Sequence, residues 1–277
     1  FVFQQLIIDN KNVEQVIAHT AVQAVTFTGS TAVGSLIASI AGKHLKKQVL
    51  ELGGSDAYII CSDADIDLAA EKCSQSRLNN TGQSCIGAKR FIVDKNVAIS
   101  FTQKMKAIFE TKNWGNPLHN YSIGTLAKAS FRNELHNQVM QSVEKGAEIV
   151  TGGFIPDEVG AFYPPTILSN VKEGMVAYHE ELFGPVASII IVEGEADAIR
   201  IANDSEFGLG GGIFSRDIEK AKQIATHLIH AGTVAINTFV SSDPRLPFGG
   251  IKKSGYGREL GKNGLLEFCN IKTIVKQ

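Results

Sequence analysis

Short apolar runs alternate with helical periodicity along the whole chain. "AVTFTG" (24–29) reads as a strand and is followed by helical spacing to about Lys43; "QVLEL" (48–52) and "AYIIC" (57–61) read as the next strands. Asp65 is placed to cap a helix in which Ile66, Ala69, Ala70 and Cys73 recur at the spacing of one helical face. "RFIVD" (90–94) follows, then a helix near 96–112. Another near 128–145 carries Phe131, Leu135, Val139 and Val143 on one face and stops at Gly146. "AEIVTGG", "ASIIIVE" (187–193), "GGIFS" and "GTVAIN" (232–237) read as strands, with helices to about Asn203 and near 217–230 between them. After a long loop come a helix near 257–268 and a last strand, "IKTIV"; at the other end "FVFQQLIID" reads as a strand that begins abruptly. This alternation predicts an α/β fold with largely parallel sheets, because parallel strands need crossover connections.

A chain of 277 residues is long enough for one large or two moderate domains. Lys and Arg number 27 against 28 Asp and Glu, so no global field would gather nucleic acid or anionic lipid, and a small molecule is the expected partner. No apolar run is long enough for a membrane-spanning helix. The four cysteines, Cys61, Cys73, Cys85 and Cys269, form no paired motif, which argues against a disulfide framework and against a metal site. A reducing cytoplasm is the expected compartment.

Four stretches carry candidate chemistry. "FTGSTAVG" (27–34) runs from a strand into a helix start whose free N–H groups favour an anion, although such turns are also plain helix caps. Glu51, in "LELGGSDAYI" (50–59), closes a strand where α/β folds present polar groups; it is a candidate base or an ordinary strand-end carboxylate. Cys85 ends "NNTGQSC" (79–85). A lone cysteine is commonly a small buried apolar residue, which suits Cys61 and Cys73. Cys85 differs because the loop of Thr81, Gly82 and Gln83 can bring N–H groups near a thiolate. In "HEELFGPVASI" (179–189) the acid pair Glu180 and Glu181 can accept from ribose hydroxyls, with Phe183 as a flat neighbour.

These blocks, with "PFGGIKKSGYGREL" further on, occur in an order and at separations that resemble the aldehyde dehydrogenase superfamily, and most of all its bacterial NAD(P)-dependent succinate-semialdehyde dehydrogenases. The resemblance runs from Phe1 to Gln277. It implies a catalytic domain with a parallel-rich sheet flanked by helices, and a partial Rossmann-like cofactor domain. It makes Cys85 the nucleophile that forms a thiohemiacetal and then a thioester. Glu51 becomes the residue that activates the hydrolytic water, and the Cys85 N–H a donor to the oxyanion. Thr28, Gly29, Ser30, Leu52, Glu181 and Phe183 then hold NAD or NADP, and Phe248 lines the substrate funnel. Ser242 and Arg245 are the candidates for a substrate carboxylate, Arg245 by inference from its charge.

The resemblance also assigns residues 1–52 to the cofactor domain, 53–253 to the catalytic domain, 254–268 to a returning helix and 269–277 to an oligomerisation strand. A homo-oligomer, dimer or tetramer, is therefore expected. Two departures stand out. Asn79 occupies a place where related semialdehyde enzymes often carry arginine. The chain opens at Phe1, past the part of the family that carries an adenosine-binding lysine and an oxyanion-hole asparagine, so the polypeptide by itself is expected to be a fragment with negligible dehydrogenase activity. A cysteine esterase and a non-catalytic oligomerising fragment are the alternatives.

Overall fold

The computed structural model describes residues 2–119 and 121–277; Phe1, read above as the start of a strand, lies outside them. In chain order the elements are α1 (Val13–Ala18), β1 (Ala24–Thr28), α2 (Thr31–Lys43), β2 (Lys47–Glu51), β3 (Ala57–Ile60), α3 (Ile66–Leu78), β4 (Arg90–Asp94) and α4 (Lys95–Glu110). They continue with α5 (Ala129–Glu144), β5 (Glu148–Thr151), β6 (Thr166–Ser169), α6 (Val176–His179), β7 (Val186–Val192) and α7 (Glu195–Asn203). Last come β8 (Gly210–Phe214), α8 (Ile218–His227), β9 (Thr233–Ile236), β10 (Gly255–Tyr256) and α9 (Gly261–Glu267). No helix among the described residues is long and apolar enough to cross a membrane.

Two compact units divide the chain. One comprises the residues up to Leu52 together with Ser242–Gln277, the other Gly53–Ser241. The sequence reading kept residues up to 253 in the catalytic domain, whereas the return to the first unit begins at Ser242. Backbone pairing accounts for this: Gly255 and Tyr256 pair with Glu51 and Leu50, the Leu52 N–H donates to the Ser254 carbonyl, and Phe248 and Glu259 exchange hydrogen bonds.

In the first unit β1 and β2 are parallel, and β10 joins β2 antiparallel. Ser30 caps α2 by accepting from the Val33 N–H. Ile37 and Ala41 of that helix pack with Ile17, Leu50 and Leu52 into a small core. Two segments read as strands are unpaired within the described chain. Residues 2–9 and 269–277 form no ladder, and Val2, Phe3, Ile7, Ile271, Ile274 and Val275 are exposed. Apolar, β-branched composition favours an extended chain, but a strand exists only where a neighbour accepts its hydrogen bonds, and this chain offers neither segment one. The last helix is also shorter than its periodicity predicts, starting at Gly261 after Tyr256 has been drawn onto β2.

The second unit is built on a sheet in the order β5-β6-β7-β4-β3-β8-β9, parallel except for β5. Its central strands are buried on both faces, which is why they read as continuous apolar runs and not as alternation. Ile59 and Ile92 point into one core with Leu135 and Val139 of α5. Their neighbours Tyr58, Ile60, Phe91 and Val93 point into the other with Phe101 and Met105 of α4 and Ala69, Ala70 and Cys73 of α3. Asp65 caps α3 as its position predicted. Phe131, assigned to the apolar face of α5, is 46% exposed; the stripe that packs is Leu135 and Val139.

Candidate active site

In the first unit the candidate residues gather at the carboxyl ends of β1 and β2. Thr28 and Glu51 are register partners, and the Gly29 N–H donates to the Glu51 carbonyl at 3.0 Å. Thr28, Gly29 and Ser30 are exposed beside the start of α2, where the unpaired N–H groups of a helix's first turn favour an anion. Leu52 is buried, with its N–H held by the Ser254 carbonyl.

Glu51 is 2% exposed, and neither carboxylate oxygen accepts a hydrogen bond from the described residues. Burial, then the nearby Glu259 carboxylate, push its pKa up from 4.5 to about 7, with Arg258 opposing. Glu259 is a residue that sequence reasoning did not single out; its side chain also accepts from the Thr26 hydroxyl at 3.1 Å. Because the Glu51 pKa is higher folded than unfolded, ionisation costs the folded state stability as pH rises from about 4.5 through about 7. Glu51→Gln removes that cost. The melting temperature of the variant relative to wild type is expected to be higher at pH 8 than at pH 5; a pH-independent difference contradicts the assignment.

Ser242 and Arg245 are exposed in the loop before α9. Arg245 pairs with Asp243 at 2.6 Å, and its side chain is 85% exposed. Phe248 is half-buried.

In the second unit the candidates lie before the amino ends of parallel strands: Gly53 to Asp56 before β3, Thr81 to Lys89 before β4, and Glu181 to Pro185 before β7. Ala57, Arg90 and Ser188 share a register row, which brings these three loops side by side. The loop before Cys85 is unusual. Asn80, Thr81 and Gly82 take φ of 51°, 57° and 72°, three left-handed residues in succession. A Cβ on Gly82 would meet the Gly184 carbonyl oxygen at 2.2 Å. Polar contacts hold this shape: the buried Arg77 donates to the Gly82 carbonyl, Asn80 Nδ2 donates to the Gln83 carbonyl, and Gln83 accepts from the Ala127 N–H at 2.8 Å.

Cys85 is half-buried, while Cys61 and Cys73 are buried. Burial raises the Cys85 pKa; Lys89 pulls it down, Asp56 and Glu181 push it up, and a hydrogen bond from the Ile86 N–H to the sulfur lowers it. The donor near the sulfur thus follows Cys85 in sequence, whereas the sequence reading looked to the residues before it. Glu181 is half-buried; its Oε1 accepts from the Gly54 N–H at 3.0 Å and lies 3.5 Å from Lys89 Nζ. Phe183 is 43% exposed. Lys89 and Asp56 were not singled out by sequence. The available signal was a Lys-Arg pair opening a strand with an apolar interior, Phe91 to Val93, since buried charges require partners.

The aldehyde dehydrogenase family model matches residues 2–274. The chain is 46% identical to the NAD(P)+ succinate semialdehyde dehydrogenase of Escherichia coli over 97% of its length, and 45% identical to the NADP+ succinate-semialdehyde dehydrogenase of Deinococcus radiodurans over 95%. It spans 58% and 55% of those relatives' lengths. The crystal structure of Streptococcus pyogenes succinic semialdehyde dehydrogenase with NADP+ superposes with a TM-score of 0.93 at 44% identity, covering 96% of this chain and 58% of that one. With this match along nearly its whole length, the chain belongs to the aldehyde dehydrogenase family.

Proposed function

We propose that the protein at its full length oxidises an aldehyde, succinate semialdehyde foremost, to the carboxylic acid with NAD or NADP, through a thioester on Cys85. The observation that carries this reading is the pair of environments in the two units: a half-buried thiol next to a lysine, and a buried carboxyl with its pKa near working pH. The substrate follows the relatives, which are succinate-semialdehyde dehydrogenases.

The residues fit a dinucleotide. Ser30, exposed at the start of α2, offers its N–H to a pyrophosphate beside Gly29, and Thr28 and the Leu52 backbone adjoin them in sequence and register. Glu181 offers a carboxylate to ribose hydroxyls, with Phe183 exposed nearby. When bound, the cofactor accepts the hydride that the substrate carbon gives up. The chain does the rest. The Cys85 sulfur bonds to the carbonyl carbon, and the carbonyl oxygen becomes an oxyanion facing the Cys85 N–H. Loss of hydride leaves an acyl thioester. Glu51 takes a proton from water, whose oxygen attacks the thioester, and the carbon–sulfur bond breaks to release the acid and the thiolate. Exposed Ile271, Ile274 and Val275, in a segment that forms no ladder within the chain, support a homo-oligomer.

For the substrate carboxylate we propose Arg245, with Ser242 beside it. Asp243 already compensates the Arg245 charge and water surrounds it, so the effect is modest. Arg245→Ala should raise KM for succinate semialdehyde about two- to fivefold and leave that for an uncharged aldehyde unchanged. The proposed function is tested by following NAD(P)H and acid together with succinate semialdehyde as substrate. Equal amounts of NAD(P)H and succinate are expected; no product from the aldehyde, together with hydrolysis of a chromogenic ester in the absence of cofactor, would favour an esterase instead.

A further inference from the structure

We infer that Lys89 is a positioning residue that aims the two peptide N–H groups flanking the sulfur of Cys85. This rests on the reading of Cys85 as the nucleophile. Lys89 precedes β4 and is 1% exposed. Its Nζ donates to the carbonyl oxygens of Ser84 at 3.1 Å, Cys85 at 2.9 Å and Gly87 at 3.0 Å. An ammonium has three donors, so all are spent on one loop. Glu181 Oε1, at 3.5 Å, balances the charge.

The geometry of the peptide group converts those contacts into an orientation. A trans peptide is planar, with its C=O and N–H pointing opposite ways. The Ser84 carbonyl shares a plane with the Cys85 N–H, and the Cys85 carbonyl shares one with the Ile86 N–H. Pinning both oxygens to one cation therefore turns both N–H groups away from it. One is the donor expected to face the oxyanion; the other, of Ile86, favours the thiolate form of Cys85. The Ser84 carbonyl also accepts from the Gly87 N–H at 3.1 Å, so a turn closes around the same cation. Close packing fixes the arrangement from the other side: a Cβ on Gly54 would lie 2.6 Å from the Cys85 carbonyl oxygen.

The charges facing this cluster are Lys89, Arg77 and Arg90 against Asp56 and Glu181. Lys89 lowers the thiol's pKa, and Glu181 and Asp56 raise it. Burial foremost lowers the Lys89 pKa, with Glu181 holding it up.

The test is the pH dependence of Cys85 alkylation by iodoacetamide, read by mass spectrometry on the peptide containing Cys85. It needs neither cofactor nor turnover, and the exposed Cys269 serves as an internal reference. Lys89→Met should raise the apparent pKa of the Cys85 reaction and slow it at pH 7 by about tenfold, one pKa unit being tenfold in thiolate, with Cys269 unaffected. Glu181→Gln removes the opposing carboxylate and should shift the profile the other way. A structural role alone predicts no such opposite pair. An unchanged profile in Lys89→Met, or shifts of the same sign in both variants, overturns the proposal. If Lys89→Met does not fold, Lys89→Gln, which keeps two donors and loses the charge, decides, and an unchanged profile there overturns it. Should Cys85 of the folded wild type not be alkylated at all, the nucleophile reading fails, an outcome distinct from the comparison between variants.

Discussion

Cys85→Ser is expected to lower kcat for aldehyde oxidation at least about a thousandfold, with folding and cofactor binding retained. The swap changes one atom. A serine hydroxyl has a far higher pKa than a thiol, and an alkoxide is a poor leaving group, so both the attack and the release of acid suffer. Lys89 and the Ile86 N–H favour an anion at this position, but not by enough to close the gap between an aliphatic hydroxyl and a thiol. Cys61→Ser and Cys73→Ser are the controls. Both thiols are buried in the cores of the second unit and their pKa values are raised by burial, so these changes should affect stability and leave the chemistry of the folded protein intact.

Glu51→Gln is the second large effect. Removing a general base costs typically about 10²–10⁴-fold. The loss should fall on hydrolysis of the thioester and not on its formation, so a burst of NAD(P)H up to one equivalent per site survives while steady turnover fails. In the wild type the hydrolytic step should rise as pH passes through about 7, the value to which burial and Glu259 push the carboxyl, because only its ionised form accepts a proton from water. Loss of that pH dependence in Glu51→Gln is the check. A burst lost together with turnover would move Glu51 to an earlier step.

Much of the fold was legible because its signals are local. The apolar runs of β3, β4, β7 and β8 and the Asp65 cap lie in contiguous residues, and buried parallel strands announce themselves as unbroken runs. The two end segments read as strands form no ladder within this chain, because pairing needs a neighbour that no local pattern contains, and for 269–277 the expected neighbour is another copy of the chain. For the same reason the return to the first unit was placed too late: the pairing of Gly255 and Tyr256 with β2 spans some two hundred residues of sequence.

The candidate site divides along the same line. Cys85 and Glu51 stood out through the short motifs around them, with the family resemblance supplying their roles. Lys89, Asp56 and Glu259 did not, since what distinguishes them is burial beside charges brought in from distant segments. Lys89 meets Glu181 across 92 positions of sequence, and Thr26 meets Glu259 across 233. A charged residue at the edge of an apolar strand is the one sequence signal that points to such contacts, and it names no partner.

The most direct measurement is mass spectrometry of acid-quenched Glu51→Gln protein after mixing with succinate semialdehyde and NAD(P)+. The account predicts a succinyl group in thioester linkage on the peptide containing Cys85, formed in step with the burst of NAD(P)H and absent from the Cys85→Ser variant. An acyl group on another residue, or aldehyde oxidation that persists in Cys85→Ser, would contradict it.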